Sequence, residues 1–403
     1  MSSIFEGPLT TPEVLEVFSE RNFLGAMLRF EASLARAQAS VGLIPEAAAQ
    51  SIAGTCKVEL FDVAKIVRES GRAGSITVAL VKNLRETVGL FNKEAAGFVH
   101  FGATSQDVID TALALVTRRA VGLIETDVHK ALVALLALAR RHAADPMLAR
   151  MLMQPASVTS FGLKCAGWAA PLLRSLQRLQ TAAGNALSVQ LGGSVGTFAR
   201  MQGKGPQVLA LMAADLQLRA PPFAWNVQRD EWVALGCELG LLVGSFGKIA
   251  KDIALMSQYE VAEVNESPEL GRSAAACMVA LAAAQRAPQR VAALLSAMPQ
   301  EHEQALGNWQ AELAEWPGLL MSAHGAARAM ALALPNLQVN VPRMHANLDA
   351  VRVGASPEDA AQWFSPALAR DAAMLAHTQI QLLSDALPEL TEAGKNSPAK
   401  AAL

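Results

Sequence analysis

An all-α architecture, built around a long helical bundle, is predicted from three observations. Residues 108–142 carry an almost unbroken helical pattern, and further long patterns follow at 160–187, 206–218, 231–264 and 273–295, with no period-2 runs and turn chemistry between them. These segments are apolar on most faces, which places them inside a bundle rather than on its surface. The third observation is a glycine face: Gly236, Gly240, Gly244 and Gly247 recur at three- and four-residue spacing within one segment. Each costs about 1 kcal/mol of helix propensity, a cost offset where a neighbouring backbone must come close.

The remaining elements follow in chain order. Pro12 to Phe18 opens a helix and Arg21 to Val41 forms a second, with Phe23, Leu24, Met27, Leu28, Phe30 and Leu34 at helical spacing, so residues 11–55 read as two helices. Gly71 to Phe98 is punctuated by Gly and Thr and leads into a helix carrying Leu84 and Leu90. Together these define a small N-terminal helical domain, residues 1–107, ahead of a central bundle domain at 108–340. Beyond Pro335, the breakers Val341-Pro342, Gly354 and Pro357 interrupt the chain. One helix, Ser365 to Leu383, is predicted in a shortened C-terminal region at 341–391, and residues 392–403 read as a polar, disordered tail.

Bulk properties narrow the functional classes. The chain has 403 residues, 52% apolar and only 17% charged, against about a quarter charged in ordinary domains. That much apolar surface predicts burial between subunits of a homo-oligomer. A formal net charge of −2 with no clustered Lys/Arg run argues against a nucleic-acid partner. Cys56, Cys165, Cys237 and Cys277 stand far apart without metal-ligand spacing, so no metal is expected and a reducing compartment is. The start, Met1 to Glu6, lacks the basic and apolar regions of a signal peptide, and no apolar run is read as long enough to span a bilayer. A cytoplasmic protein without a membrane partner is the expectation.

The most informative run is Val99-His100-Phe101-Gly102-Ala103-Thr104-Ser105-Gln106-Asp107, just ahead of the first long helix. It brings an imidazole, two hydroxyls, an amide and a carboxylate to a helix entrance, where unpaired N–H groups and the positive dipole end favour anions. Thr104 or Ser105 can also serve simply as the N-cap. A cap alone does not require His100 and Gln106, so His100, Thr104, Ser105 and Gln106 are candidates to grip a carboxylate ligand. Asp107 is better suited to orienting neighbours than to meeting an anion.

This run, with Asp110-Thr111 after it, resembles the first signature region of the fumarase/aspartase superfamily, and within it the 3-carboxy-cis,cis-muconate cycloisomerases; the resemblance extends from about residue 10 to about residue 350. It implies a central twenty-helix bundle in a homotetramer, with active sites assembled from three subunits. It also implies cofactor-independent addition or elimination across a C=C bond beside a carboxylate, on a small polycarboxylate substrate. Arg150-Met151-Leu152-Met153-Gln154-Pro155 resembles the second region, with Arg150 and Gln154 as its possible ligands; Arg150 can equally serve an ion pair. Gln190 to Thr197 resembles the Gly-rich turn between bundle helices. Trp225-Asn226-Val227-Gln228-Arg229-Asp230 matches a pattern that usually reads Trp-His-x-x-Arg-Asp. Asn226 can hydrogen-bond a carboxylate but cannot move a proton near neutral pH. Arg229 is expected to pair with Asp230 while presenting its guanidinium fork.

One departure stands out. Relatives carry Gly-Ser-Ser-x-Met-Pro-x-Lys-x-Asn-Pro, whose serine is the catalytic base and whose lysine helps hold the carboxylate. This chain reads Asn265-Glu266-Ser267-Pro268-Glu269-Leu270-Gly271-Arg272-Ser273, about ten residues shorter, so Ser273 and Arg272 are the candidate replacements, with His100 a second candidate for proton transfer. Losing an acid/base removes roughly 10²–10⁴-fold in rate. Three readings stand: a working cycloisomerase, an impaired paralogue that binds carboxylates or assembles with an active homologue, and a repurposed lyase.

Overall fold

The computed structural model describes residues 4–266 and 275–395. Its helices are α1 (Pro12–Val17), α2 (Glu20–Ser40), α3 (Glu46–Thr55), α4 (Val63–Ala73), α5 (Ile76–Phe91), α6 (Ser105–Arg141), α7 (Phe161–Ala186), α8 (Gly205–Leu216), α9 (Asp230–Met256), α10 (Ala275–Ala297), α11 (Asn308–Ala333), α12 (Val341–Gly354), α13 (Pro357–Trp363) and α14 (Pro366–Lys395). Two short antiparallel pairs accompany them, β1 (Pro146–Met151) with β2 (Gln154–Ser160), and β3 (Val264–Asn265) with β4 (Gln338–Val339).

Helix starts follow side-chain chemistry. Thr11, Ser19, Asp62 and Ser160 each accept a hydrogen bond from a backbone N–H three residues on, at 2.9–3.3 Å. The long helices α6, α7, α9, α10 and α11 pack on one another, and α2 crosses onto α6, so one continuous core runs from the N-terminal helices through the bundle. A small separate cluster of Leu148, Leu348 and Phe364 seats the β1–β2 hairpin on α12 and α13.

The glycine face acts at three of its four positions. A Cβ on Gly236 would stand 2.7 Å from Leu294, on Gly240 2.8 Å from Val291, and on Gly247 2.5 Å from Ala284, so these glycines let α9 and α10 pack closely. Gly244 meets nothing within 4 Å and points away from that contact.

Several expectations are corrected. Residues 11–55 form three helices, because Pro45 opens α3 after the turn at Gly42. The 231–264 pattern stops at Met256, since the chain turns through Ala262 at φ +51° to let Val264–Asn265 pair with Gln338–Val339. Helix α11 was not among the predicted elements, and it runs through Pro317. The region beyond Pro335 holds three helices rather than one, as Pro342 and Pro357 sit in first turns, where proline is tolerated. The last helix reaches Lys395, so residues 392–395 are helical; the rest of the predicted tail, 396–403, lies outside the described residues. The β1–β2 hairpin escaped notice because its turn, Leu152-Met153, adopts φ +50° and +64° without the Asn or Gly that signals such turns. Finally, α9 is long and apolar enough to cross a membrane by length and composition, contrary to the sequence reading; here it is a helix of the bundle, packed on α7, α10 and α11.

Candidate active site

The entrance to α6 is held from behind. His100 adopts φ +61° and Gly102 φ +75°, a double left-handed turn that only glycine enters without strain. Three side chains fix it: Gln38 Nε2 donates to the Phe101 carbonyl (2.6 Å), Arg85 Nη2 donates to the Val99 carbonyl (3.2 Å), and Glu31 Oε1 lies 2.7 Å from His100 Nδ1. Thr104 is the N-cap of α6, its N–H donating to Asp107 Oδ2 (3.0 Å), and Ser105 opens the helix.

Asp107 orients its surroundings. Wholly buried, its carboxylate also accepts from Gln190 Nε2 (3.1 Å) and from the N–H groups of Gly192 (3.1 Å) and Gly193 (3.0 Å), which ties the Gly-rich turn to the helix entrance. Burial pushes its pKa up to about 6, against the pull of its hydrogen bonds and of His100. His100 is raised as well, for the opposite reason: burial draws it down, but the charge and hydrogen bond of Glu31, aided by Asp107, leave it above its ordinary value.

In front of this turn lies a cavity of about 420 Å³, lined by His100 and Ser105 with Thr77, Val78, Val81, Lys82, Arg85 and Glu86 of α5. Its size suits a small ligand, and three basic side chains face it against one acid. With Nδ1 held by Glu31, Nε2 is the imidazole nitrogen left for this cavity. Sequence reasoning missed Lys82 and Arg85. The available signal was their spacing with Thr77, Val78 and Val81, which puts all five on one face of α5.

Gln106, Asn226 and Arg229 take places in a buried network behind the cavity. Arg229, wholly buried, donates to Asp110 (Nη1–Oδ2 2.8 Å) and to Glu312 through Nε (3.1 Å) and Nη2, and lies over the Trp225 ring at 4.5 Å. The expected Arg229–Asp230 pair is not the one formed; Asp110 and Glu312 surround the guanidinium instead. Burial pushes Glu312 up even against the arginine, while these two carboxylates outweigh burial to hold Arg229 firmly charged. Gln106 Nε2 donates to the Asn226 carbonyl (2.6 Å), and Asn226 Oδ1 accepts from Gln190 Nε2 (2.8 Å). Asn226 Nδ2 and Gln106 Oε1 are buried without a hydrogen-bond partner among the described residues.

Arg150 and Gln154 lie at the far end of α6. The 37 residues of that helix separate the two ends by about 55 Å at 1.5 Å per residue, and the hairpin packs on α12 and α14. Arg150 makes a two-pronged pair with the buried Glu263 (2.9 and 2.8 Å), which also accepts from Asn347 (2.9 Å), while Gln154 is exposed beside the hairpin turn. Nearby, Glu266 accepts from the N–H groups of Ala276 and Cys277, each at 3.0 Å, and so caps α10. Arg272 and Ser273 lie outside the described residues. Among the described residues no group of three or more His, Cys, Asp or Glu is arranged to hold a metal ion.

Residues 7–273 match the family described as Lyase. A 3-carboxy-cis,cis-muconate cycloisomerase of Bradyrhizobium diazoefficiens is 38% identical, over 87% of this chain and 80% of the relative. Among solved structures, 3-carboxy-cis,cis-muconate lactonizing enzyme from Pseudomonas putida superposes with a TM-score of 0.83 at 35% identity, covering 100% of this chain and 92% of that one. The β-carboxy-cis,cis-muconate cycloisomerase of Acinetobacter calcoaceticus gives 0.86 at 32% identity, covering 98% and 93%.

Proposed function

This chain belongs to the Lyase family of the fumarase/aspartase superfamily, and on that premise we propose that it is a 3-carboxy-cis,cis-muconate cycloisomerase. The observation that carries the proposal is the cationic cavity built on the 99–107 signature run of a chain 38% identical to such an enzyme. The substrate is a multiply ionised small acid, and the reaction is internal. One of its carboxylate oxygens attacks an alkene carbon, the C–O bond forms as the π bond breaks, and the electron pair moves to the carbon beside a second carboxylate. That carbon then takes a proton, giving a muconolactone with one proton more and one negative charge fewer than the ionised substrate.

The chain's task is to hold the reacting groups together and stabilise the developing charge. Lys82, Arg85 and His100, with the hydroxyls of Thr104 and Ser105, serve the carboxylates. His100 Nε2–H or Ser273 supplies the proton, and Arg272 takes the place of the lysine that the shortened segment lacks. Asn226, Gln106 and Arg229 hold the buried network that backs the pocket. Because about 55 Å of helix parts Arg150 and Gln154 from His100, these two reach a His100 cavity only if it is that of another copy. A cytoplasmic homotetramer with sites between subunits supplies that arrangement.

A second reading has its own support. Asn226 stands where relatives usually have a proton-transferring His, and residues 265–273 lack the Met-Pro-x-Lys core; both favour an impaired paralogue that binds carboxylates. Purified protein with 3-carboxy-cis,cis-muconate, followed by loss of ultraviolet absorbance, decides: turnover supports the enzyme, and thermal stabilisation without turnover supports the binder.

A further inference from the structure

Glu31 lies on the buried face of α2, only 1% exposed, with Oε1 against His100 Nδ1 at 2.7 Å and Oε2 without a hydrogen-bond partner among the described residues. A carboxylate in such a place is costly unless a cation answers it. The same helix supplies Gln38 to the Phe101 carbonyl, so α2 grips both backbone and ring of the turn. The left-handed backbone of His100, φ +61°, is a strained conformation for a residue other than glycine, and the residue lines the α5 cavity from it. Charged groups reach His100 from each packed element: Glu31 from α2, Asp107 from α6, and Arg85, Lys82 and Glu86 from α5, while Arg200 stacks on the adjacent Phe101 ring at 4.6 Å.

We propose that Glu31 is a positioning residue for this reaction: it anchors the His100 ring through Nδ1 and so directs Nε2–H toward a substrate carboxylate in the α5 cavity. This rests on reading that cavity as the substrate site. Glu31 does not touch the substrate. Its charge is the main influence that lifts His100 above its ordinary value against burial and Arg85; without it, burial prevails.

The test uses the full chain with ¹³C-labelled histidine, the His100 signal being assigned by its loss in His100→Asn. Wild type is expected to titrate above 6.5, the ordinary value; Glu31→Gln is expected to titrate below it, and Glu31→Asp in between. With 3-carboxy-cis,cis-muconate, kcat/KM of Glu31→Gln is expected to fall about 10- to 100-fold, in line with the loss of other groups that orient a functional imidazole, with part of the loss recovered at acid pH and by Glu31→Asp. An unmoved His100 titration in Glu31→Gln, or a loss equal at every pH, overturns the proposal. If Glu31→Gln does not fold, the midpoint of Glu31→Asp decides, a value equal to wild type counting against it. Absence of turnover in every variant including wild type sinks the enzymatic reading instead, and the titrations still judge Glu31.

Discussion

The two ends of α6 carry basic residues in opposite circumstances. At its start, His100, Lys82 and Arg85 face an open cavity; beyond its end, Arg150 has both terminal nitrogens engaged by the buried Glu263. Arg229, behind the first end, is surrounded as completely by Asp110 and Glu312. The difference teaches that residue type alone does not mark a ligand group. A basic group is available for chemistry where the fold leaves one of its donors facing a cavity, as with His100, whose pair with Glu31 occupies Nδ1 only.

Experiments that strip one end at a time test the contrast. The largest effect is expected from Arg229→Met, which leaves Asp110 and Glu312 buried without their cation and costs about 3–5 kcal/mol; chemical denaturation measures it, and a loss under 1 kcal/mol would deny the network its structural role. Lys82→Ala is expected to reduce kcat/KM for 3-carboxy-cis,cis-muconate about 10- to 100-fold, less than a fully buried donor would, with the melting temperature unchanged because the side chain is exposed.

Arg150→Met sharpens the comparison further. As a structural partner of Glu263 its loss costs about 1–3 kcal/mol; a variant as stable as wild type but inactive would instead make Arg150 a ligand group for a second copy. Gly247→Ala forces a methyl against Ala284 and is expected to cost about 1–3 kcal/mol, whereas Gly244→Ala, which meets nothing within 4 Å, should stabilise the isolated chain by about 0.5–1 kcal/mol. Loss of assembly in Gly244→Ala, seen by sedimentation, would show that another copy covers that face.

The smallest effect is the pH dependence of stability. His100 is raised in the folded chain, so the contribution of its pair with Glu31 is complete below pH 6.5 and is lost as pH rises through the raised value. Melting curves across that window should slope down in wild type and lose this component in His100→Asn.

The legible parts of the molecule were those encoded by neighbours in the chain. The run 99–107 announced a cap and an anion-suited helix start, and the structure has Thr104 as N-cap with Asp107 bonded back to it. Lys82 and Arg85 were harder to see, because nothing within α5 says which of its faces will meet His100. The hairpin at 146–160 was invisible for another reason: Leu152 and Met153 carry no turn signature, and their left-handed geometry is imposed by strands seated on α12 and α14.

By itself the sequence determined the all-α class, the capped helix starts and the glycines that let α9 meet α10, since periodicity, caps and missing side chains act within a few residues. Only the tertiary structure decided how the buried charges are paired. The choice of Asp110 and Glu312 over Asp230 for Arg229, and of Glu31 for His100, joins residues far apart in the chain. Such pairs are selected by which helix faces are buried together, because a charge taken out of water must find its partner wherever packing has placed one.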